Sequence, residues 1–175
     1  MSLQVGSPAP EFRAQAVTPN GEFKDVKLSD YRSKWVVLFF YPLDFTFVCP
    51  TEIKSFGEHY KVFKDSNAEV IGASIDSVYC HLAWINNGLG KLPFPLLSDI
   101  TKTISRDYGV LIEEKGIALR GTFIIDPDGK LRSAVVNDTG IGRNIDETVR
   151  TLKALQTGEL TPCGWNPGQK TLGKA

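Results

Sequence analysis

The most constraining stretch of this chain is Trp35-Val36-Val37-Leu38-Phe39-Phe40-Tyr41, an unbroken apolar run stopped by Pro42. A strand with one wet face alternates apolar and polar residues. A continuous run of β-branched and aromatic residues needs cover on both faces, the condition of a central strand in a sheet flanked by helices. With seven residues it is far too short to span a bilayer.

The segments that follow supply the cover. A helix is predicted over 50–64, with Pro50 in its first turn and Ile53, Phe56, Tyr60 and Phe63 on one face. Glu69 to Ile75 is predicted as the next strand. Ser77 then caps a helix carrying Val78, Leu82 and Ile85, which ends near Asn87-Gly88. A short helix over Thr101 to Tyr108 ends at Gly109. Two hairpins bracket this core: Phe12 to Val17 with Phe23 to Leu28 around Thr18-Pro19-Asn20-Gly21, and 117–125 with 130–137 around Asp126-Pro127-Asp128-Gly129. A last helix over 144–157 is capped by Asn144, carries Asp146 and Glu147 at its positive end, has a stripe of Val149, Leu152 and Leu155, and closes at Gly158. The order of strands and helices predicts a three-layer α/β/α sandwich with a central mixed sheet and an N-terminal β-hairpin. No repeat or low-complexity tract interrupts it, so residues 1–158 are expected to form one domain and 159–175 an exposed tail.

Composition narrows the function. Lys plus Arg and Asp plus Glu each total 20, giving zero formal charge. Nucleic acid and anionic membranes call for a basic excess that is missing here, so neither is expected as a partner. Met1 to Val5 lacks the basic start and apolar segment of a secretory leader, so a cytoplasmic location is expected. Three cysteines are an awkward set for structural disulfides in a reducing compartment.

Cys49 stands where the buried strand gives way to a helix. There the unpaired N–H groups and positive pole of the helix favour a thiolate. Its surroundings read Pro42-Leu43-Asp44-Phe45-Thr46-Phe47-Val48-Cys49-Pro50-Thr51-Glu52. This stretch resembles the active-site motif of the typical two-cysteine peroxiredoxins, the group that includes the peroxidase component of alkyl hydroperoxide reductase. Ser74-Ile75-Asp76-Ser77, His81-Leu82-Ala83-Trp84, Arg120-Gly121-Thr122-Phe123-Ile124-Ile125-Asp126 and Gly142-Arg143-Asn144-Ile145-Asp146-Glu147 resemble further segments of that family in the same order. The resemblance implies a thioredoxin-like fold and a thiol peroxidase that acts on hydrogen peroxide and organic hydroperoxides without a cofactor or metal. It implies Cys49 as the peroxidatic cysteine, with Thr46 and Arg120 on the thiolate and peroxide. Pro42 would shield the pocket, and Glu52 and Arg143 would hold the hydrogen-bond network.

Ionisation of Cys49 is not sufficient for such a reaction. A free thiol of pKa about 8.5 is roughly 3% ionised at pH 7, so complete ionisation gains at most about 30-fold, or roughly 2 kcal/mol. A lower pKa also weakens the nucleophile. Larger acceleration has to come from donors aimed at the peroxide oxygens, with Arg120, Thr46 and the backbone N–H groups at Cys49 as candidates.

Cys163 lies in the Pro- and Gly-rich tail and resembles the family's resolving cysteine, which in the usual pattern belongs to the other chain of a head-to-tail dimer. Its local sequence, Pro162-Cys163-Gly164-Trp165, differs from the common Cys-Pro-x-x-Trp. The family pattern further implies homodimers that assemble to a decamer, with thioredoxin or a flavin disulfide reductase as electron donor. Some members end in a helix with a Tyr-Phe pair that favours over-oxidation. Thr171-Leu172-Gly173-Lys174-Ala175 has no such pair, and Asn87-Gly88-Leu89-Gly90 only partly matches the accompanying loop, so resistance to peroxide is expected. Cys80 is read as a packing residue or a bystander.

Other classes fare less well. Cys49-Pro50-Thr51-Glu52 lacks the second thiol of a dithiol oxidoreductase. A Cys-His hydrolase needs an imidazole at the sulfur; His59 is about 15 Å along the same helix, while His81 stays open. Two histidines and three cysteines show no metal-ligand spacing. A holdase or redox-relay role, which some family members combine with peroxidase work, also stays open.

Overall fold

The computed structural model describes residues 3–174; Met1 and Ser2 of the leader reading and Ala175 of the tail reading lie outside them. The chain divides into two compact units, one reaching to Arg143 and one beginning at Asn144.

The strands of the first unit are β1 (Arg13–Val17), β2 (Phe23–Lys27), β3 (Trp35–Phe40), β4 (Ala68–Ser74), β5 (Leu96–Ser98), β6 (Leu111–Ile112), β7 (Ile117–Ala118), β8 (Arg120–Ile125) and β9 (Leu131–Asn137). Seven of them form one mixed sheet in the order β2-β1-β5-β4-β3-β8-β9, and β6 pairs with β7 as a separate ribbon. The helices of this unit are α1 (Cys49–Glu58), α2 (Tyr60–Asp65), α3 (Val78–Trp84) and α4 (Thr103–Asp107). β3 runs parallel to β4, and β4 to β5, as the connecting helices require. β8 lies antiparallel on the other side of β3.

The apolar run of β3 sits where its composition demands. Val36, Leu38 and Phe40 join the cluster containing Ile71, Leu97, Tyr108 and Phe123. On the opposite face Phe39 stacks on Phe56 of α1 with centroids 4.1 Å apart and meets Phe94 edge-on at 5.8 Å. Strand β4 can pass beneath Phe39 only because Gly72 has no side chain: a Cβ there would lie 2.7 Å from Phe39 Cζ and 2.8 Å from Leu96 Cδ2.

Three expectations change in detail and one strand is new. The helix over 50–64 is two helices, broken at His59, whose Nδ1 lies 2.8 Å from the Ser55 carbonyl oxygen. The strand over 117–125 divides into β7 and β8, the first recruited by the ribbon. β5 has only three residues and carries too short a pattern to be read. On α3 the buried residues are Val78, His81 and Trp84, whereas Leu82 and Ile85 are only half-buried, because His81 turns inward to polar partners. No helix among the described residues is long and apolar enough to cross a membrane.

In the second unit, α5 (Ile145–Thr157) starts at Asn144, whose side-chain oxygen accepts from the Glu147 N–H at 3.2 Å, and stops at Gly158 with φ +64°. The residues beyond are not featureless. The Leu160 N–H donates to Gly173 O at 2.9 Å, and the Leu172 N–H donates to Leu160 O at 2.8 Å. The Trp165 indole is buried and donates to Gln169 O at 3.0 Å, while the Trp165 carbonyl accepts from Arg150 Nη1 at 2.9 Å. Cys163 occupies an exposed turn closed by the Trp165 N–H on Pro162 O at 3.1 Å.

Candidate active site

Strand β3 ends at Phe40, and Pro42 removes the donor that would continue its ladder. The chain then crosses the buried Pro42 and reaches α1, whose first residue is Cys49 and whose second is Pro50. Proline at this position sacrifices an N–H that has no helical acceptor. The sulfur therefore stands at the positive end of a helix, and Cys49 is 0% exposed.

The antiparallel register of β3 and β8 sets Thr122 opposite Phe39, so Arg120, two residues earlier, reaches the level just past the end of β3. Its Nη1 donates to Cys49 Sγ at 3.4 Å and to Glu52 Oε2 at 2.6 Å, while Nε donates to Thr139 O at 2.8 Å. Glu52 follows Cys49 by three residues on α1 and so shares its face. Arg143 grips the same carboxylate: its backbone N–H and Nε donate to Oε1 at 2.8 and 2.9 Å, and Nη2 donates to Oε2 at 2.9 Å. Its Nη1 reaches Gly121 O at 2.8 Å and Thr122 Oγ1 at 3.3 Å. The guanidinium lies over the Phe39 ring at 5.2 Å.

Both arginine side chains are 3% exposed and the glutamate 2%. Burial alone would raise the Glu52 carboxyl, but the hydrogen bonds and charge of Arg143, reinforced by Arg120, bring it below its usual value of 4.5. Burial draws the Arg143 guanidinium below its usual value, and Glu52 opposes the shift. Two guanidiniums and one carboxylate leave this buried group one positive charge in excess. That excess faces the Cys49 sulfur, to which Arg120 points a donor.

Of the residues singled out in the sequence, Cys49, Glu52, Arg120 and Arg143 meet in one cluster. Thr46 and Pro42 lie on the segment leading into it; the Thr46 hydroxyl, expected as a donor toward the peroxide, instead donates to Leu43 O at 2.9 Å and leaves its lone pairs for an incoming donor. Cys163 belongs to the second unit. Nothing in the sequence pointed to Thr139, whose backbone carbonyl steers Arg120, because any residue type can offer a carbonyl.

Sequence reading also missed a second polar cluster. Asp44 Oδ1 accepts from the Tyr41 hydroxyl at 2.8 Å and Oδ2 lies 2.7 Å from His81 Nδ1. His81 Nε2 lies 3.1 Å from Leu97 O. Both ring nitrogens are thus engaged away from Cys49, which removes His81 as a base for that sulfur. Cys80 is a different kind of thiol from Cys49: burial, then the Asp44 and Asp76 carboxylates, push it up to about 12. Asp44, Asp76 and Cys80 bring one potential ligand atom each within 4.8 Å of one another. The carboxylates there already accept from Tyr41, the Asp44 N–H and Ser74.

Residues 5–134 match the AhpC/TSA family. Peroxiredoxin-1 of Gallus gallus is 55% identical over 177 residues, spanning 96% of this chain and 89% of the relative. A protein of Bacillus subtilis named putative peroxiredoxin YkuU is 55% identical over 175 residues, covering 96% of this chain and 97% of its own. The crystal structure of reduced Plasmodium vivax 2-Cys peroxiredoxin aligns with a TM-score of 0.94 at 41% identity, over 97% of this chain and 92% of that one. Its fold is accordingly thioredoxin-like, and with agreement along the whole chain the protein belongs to the AhpC/TSA family and is a peroxiredoxin.

Proposed function

We propose that this peroxidase works through a sulfenic acid on Cys49 and a disulfide from Cys49 to Cys163 of a second copy of the chain. The observation that carries the reading is the Arg120 guanidinium 3.4 Å from a buried sulfur at a helix N-terminus. Cys49 thiolate attacks the distal oxygen of a hydroperoxide. The oxygen–oxygen bond breaks, one oxygen stays on sulfur, and the other leaves as an alkoxide or hydroxide that takes up a proton. Arg120 supplies the donor nearest the charge as it moves from sulfur to the leaving oxygen. Glu52 and Arg143 keep that guanidinium in place, Thr46 accepts from the peroxide, and Pro42 limits water.

Cys163 thiolate then attacks the Cys49 sulfur, expelling hydroxide, which leaves as water after protonation. A dithiol donor, thioredoxin or a flavin disulfide reductase, returns both sulfurs to thiols. Exposure of Cys163 supports its part, because an attacking thiol needs access. The neutral chain suits a small uncharged peroxide, and dimers that assemble into a decamer in the cytoplasm fit the family.

The test is a coupled assay with hydroperoxide and either reductant, following nicotinamide oxidation, together with a non-reducing gel. Turnover with at least one reductant, and a covalent dimer lost in Cys163→Ser, are expected. A dimer that persists in Cys163→Ser overturns the disulfide assignment, and an inert Cys49 toward peroxide overturns the whole reading.

A further inference from the structure

The peroxide chemistry described above leaves one buried titratable pair unused. His81 is 0% exposed and Asp44 7%, yet neither touches the sulfur cluster. His81 Nε2 lies 3.1 Å from Leu97 O and Nδ1 lies 2.7 Å from Asp44 Oδ2, so both ring nitrogens are engaged. The pair is held from several sides. Leu97 anchors His81 to β5. The Tyr41 hydroxyl fixes the other Asp44 oxygen at 2.8 Å, and the Asp44 backbone N–H donates to Asp76 Oδ2 at 2.8 Å. Asp76 is in turn fixed by Ser74 and by Ser98, whose hydroxyl donates to its carbonyl at 2.7 Å.

The next residue explains why so many bonds converge there. Phe45 has φ +54°, the left-handed region that a bulky side chain avoids. The residue is 56% exposed and its ring leans on Trp84 at 5.8 Å, so burial contributes only part of what holds it. On the far side of Phe45 the Thr46 hydroxyl reaches back to Leu43 O at 2.9 Å. The reversal between β3 and α1 is thus clamped on both sides of a strained residue, and it leads straight to Thr46 and Cys49.

We propose that the Asp44–His81 pair is a positioning element of the peroxidase: it holds the Pro42–Val48 segment in its strained shape and so sets where Thr46 and Cys49 stand relative to Arg120. This rests on the peroxidase reading. Misplacement of reacting groups by about 1 Å costs up to ~100-fold in rate, so loss of the pair is expected to slow the reaction of Cys49 with peroxide by about 10- to 100-fold. Alkylation of the same sulfur by iodoacetamide needs no aligned donors and is expected to change by less than about threefold.

The decisive variants are Asp44→Asn and His81→Gln, each alone and combined with Phe45→Gly. Stopped-flow measurement with hydrogen peroxide gives the oxidation rate, and iodoacetamide labelling of Cys49 gives the control. Glycine takes the left-handed conformation without cost, so Phe45→Gly is expected to restore at least about half of the logarithmic loss. Oxidation within about threefold of the parent protein in both single variants overturns the proposal, as does an equal fall in oxidation and alkylation, or absence of any rescue. If one variant does not fold, the other carries the same test. An unmodified protein that does not react with peroxide overturns the peroxidase reading itself, a result separate from failure of the variants.

Discussion

Arg143→Met removes the most heavily bonded side chain of the site while keeping much of its apolar contact with Phe39 and Phe56. Four side-chain hydrogen bonds are lost, two to Glu52 and one each to Gly121 O and Thr122 Oγ1. Removing one partner of a buried ion pair costs about 3–5 kcal/mol. The lower end, about 3 kcal/mol, applies here, because Arg120 and the residue-143 N–H still serve Glu52. With a urea slope of about 2 kcal/mol per molar, the midpoint falls by about 1.5 M at one fixed protein concentration. The cost depends on pH in a defined direction. The folded Glu52 carboxyl lies below its unfolded value near 4.5, so the stability it contributes is fully present above that value and is lost as pH falls through the folded value. Urea unfolding followed by circular dichroism at pH 7, 5, 4 and 3 should show the gap between parent and variant constant at the upper two and narrowing below. A midpoint shift under about 0.5 M at pH 7, or a gap that does not narrow in acid, refutes the buried-pair reasoning.

Other perturbations separate the parts of the site and the fold. Arg120→Met removes the donor nearest the sulfur and is expected to slow peroxide reduction by about 100- to 1,000-fold in stopped-flow measurements; a loss under about tenfold contradicts its role. Gly72→Ala drives a methyl into Phe39 and Leu96 and is expected to cost about 1–3 kcal/mol in urea unfolding, with no gain at any pH. Iodoacetamide at pH 8 should label Cys163 and leave Cys80 untouched until denaturant is added, since the Cys80 thiol is pushed up to about 12; peptide mapping reads both.

What was legible in the sequence depended on how local the signal is. The run Trp35 to Tyr41 announces a strand covered on both faces, and the structure places it inside the sheet, between β4 and β8. Asn144 and Gly158 mark the ends of α5 because caps act within one turn. Pro50 and Glu52 lie within three residues of Cys49, so their part in the helix start could be read in line. Arg120 and Arg143 could be named only through family resemblance, since it is strand pairing that brings Arg120 to the sulfur and the loop after β9 that brings Arg143 to Glu52, not chain proximity. The break at His59, where the ring nitrogen meets the Ser55 carbonyl, and the three-residue β5 leave no periodic trace. In the sequence His81 reads as a loose candidate base on a helix with an apolar stripe; its real partners, Asp44 and Leu97, are 37 and 16 residues distant.

The peroxidase chemistry requires that Cys49, set against Arg120, be the group that meets peroxide. Trapping tests this most directly: Cys163→Ser protein is mixed with one equivalent of hydrogen peroxide in the presence of dimedone, and the modified peptide is identified by mass spectrometry. One adduct is predicted, on Cys49, and none on Cys80. An adduct on Cys80, or full consumption of peroxide with Cys49 unmodified, contradicts it.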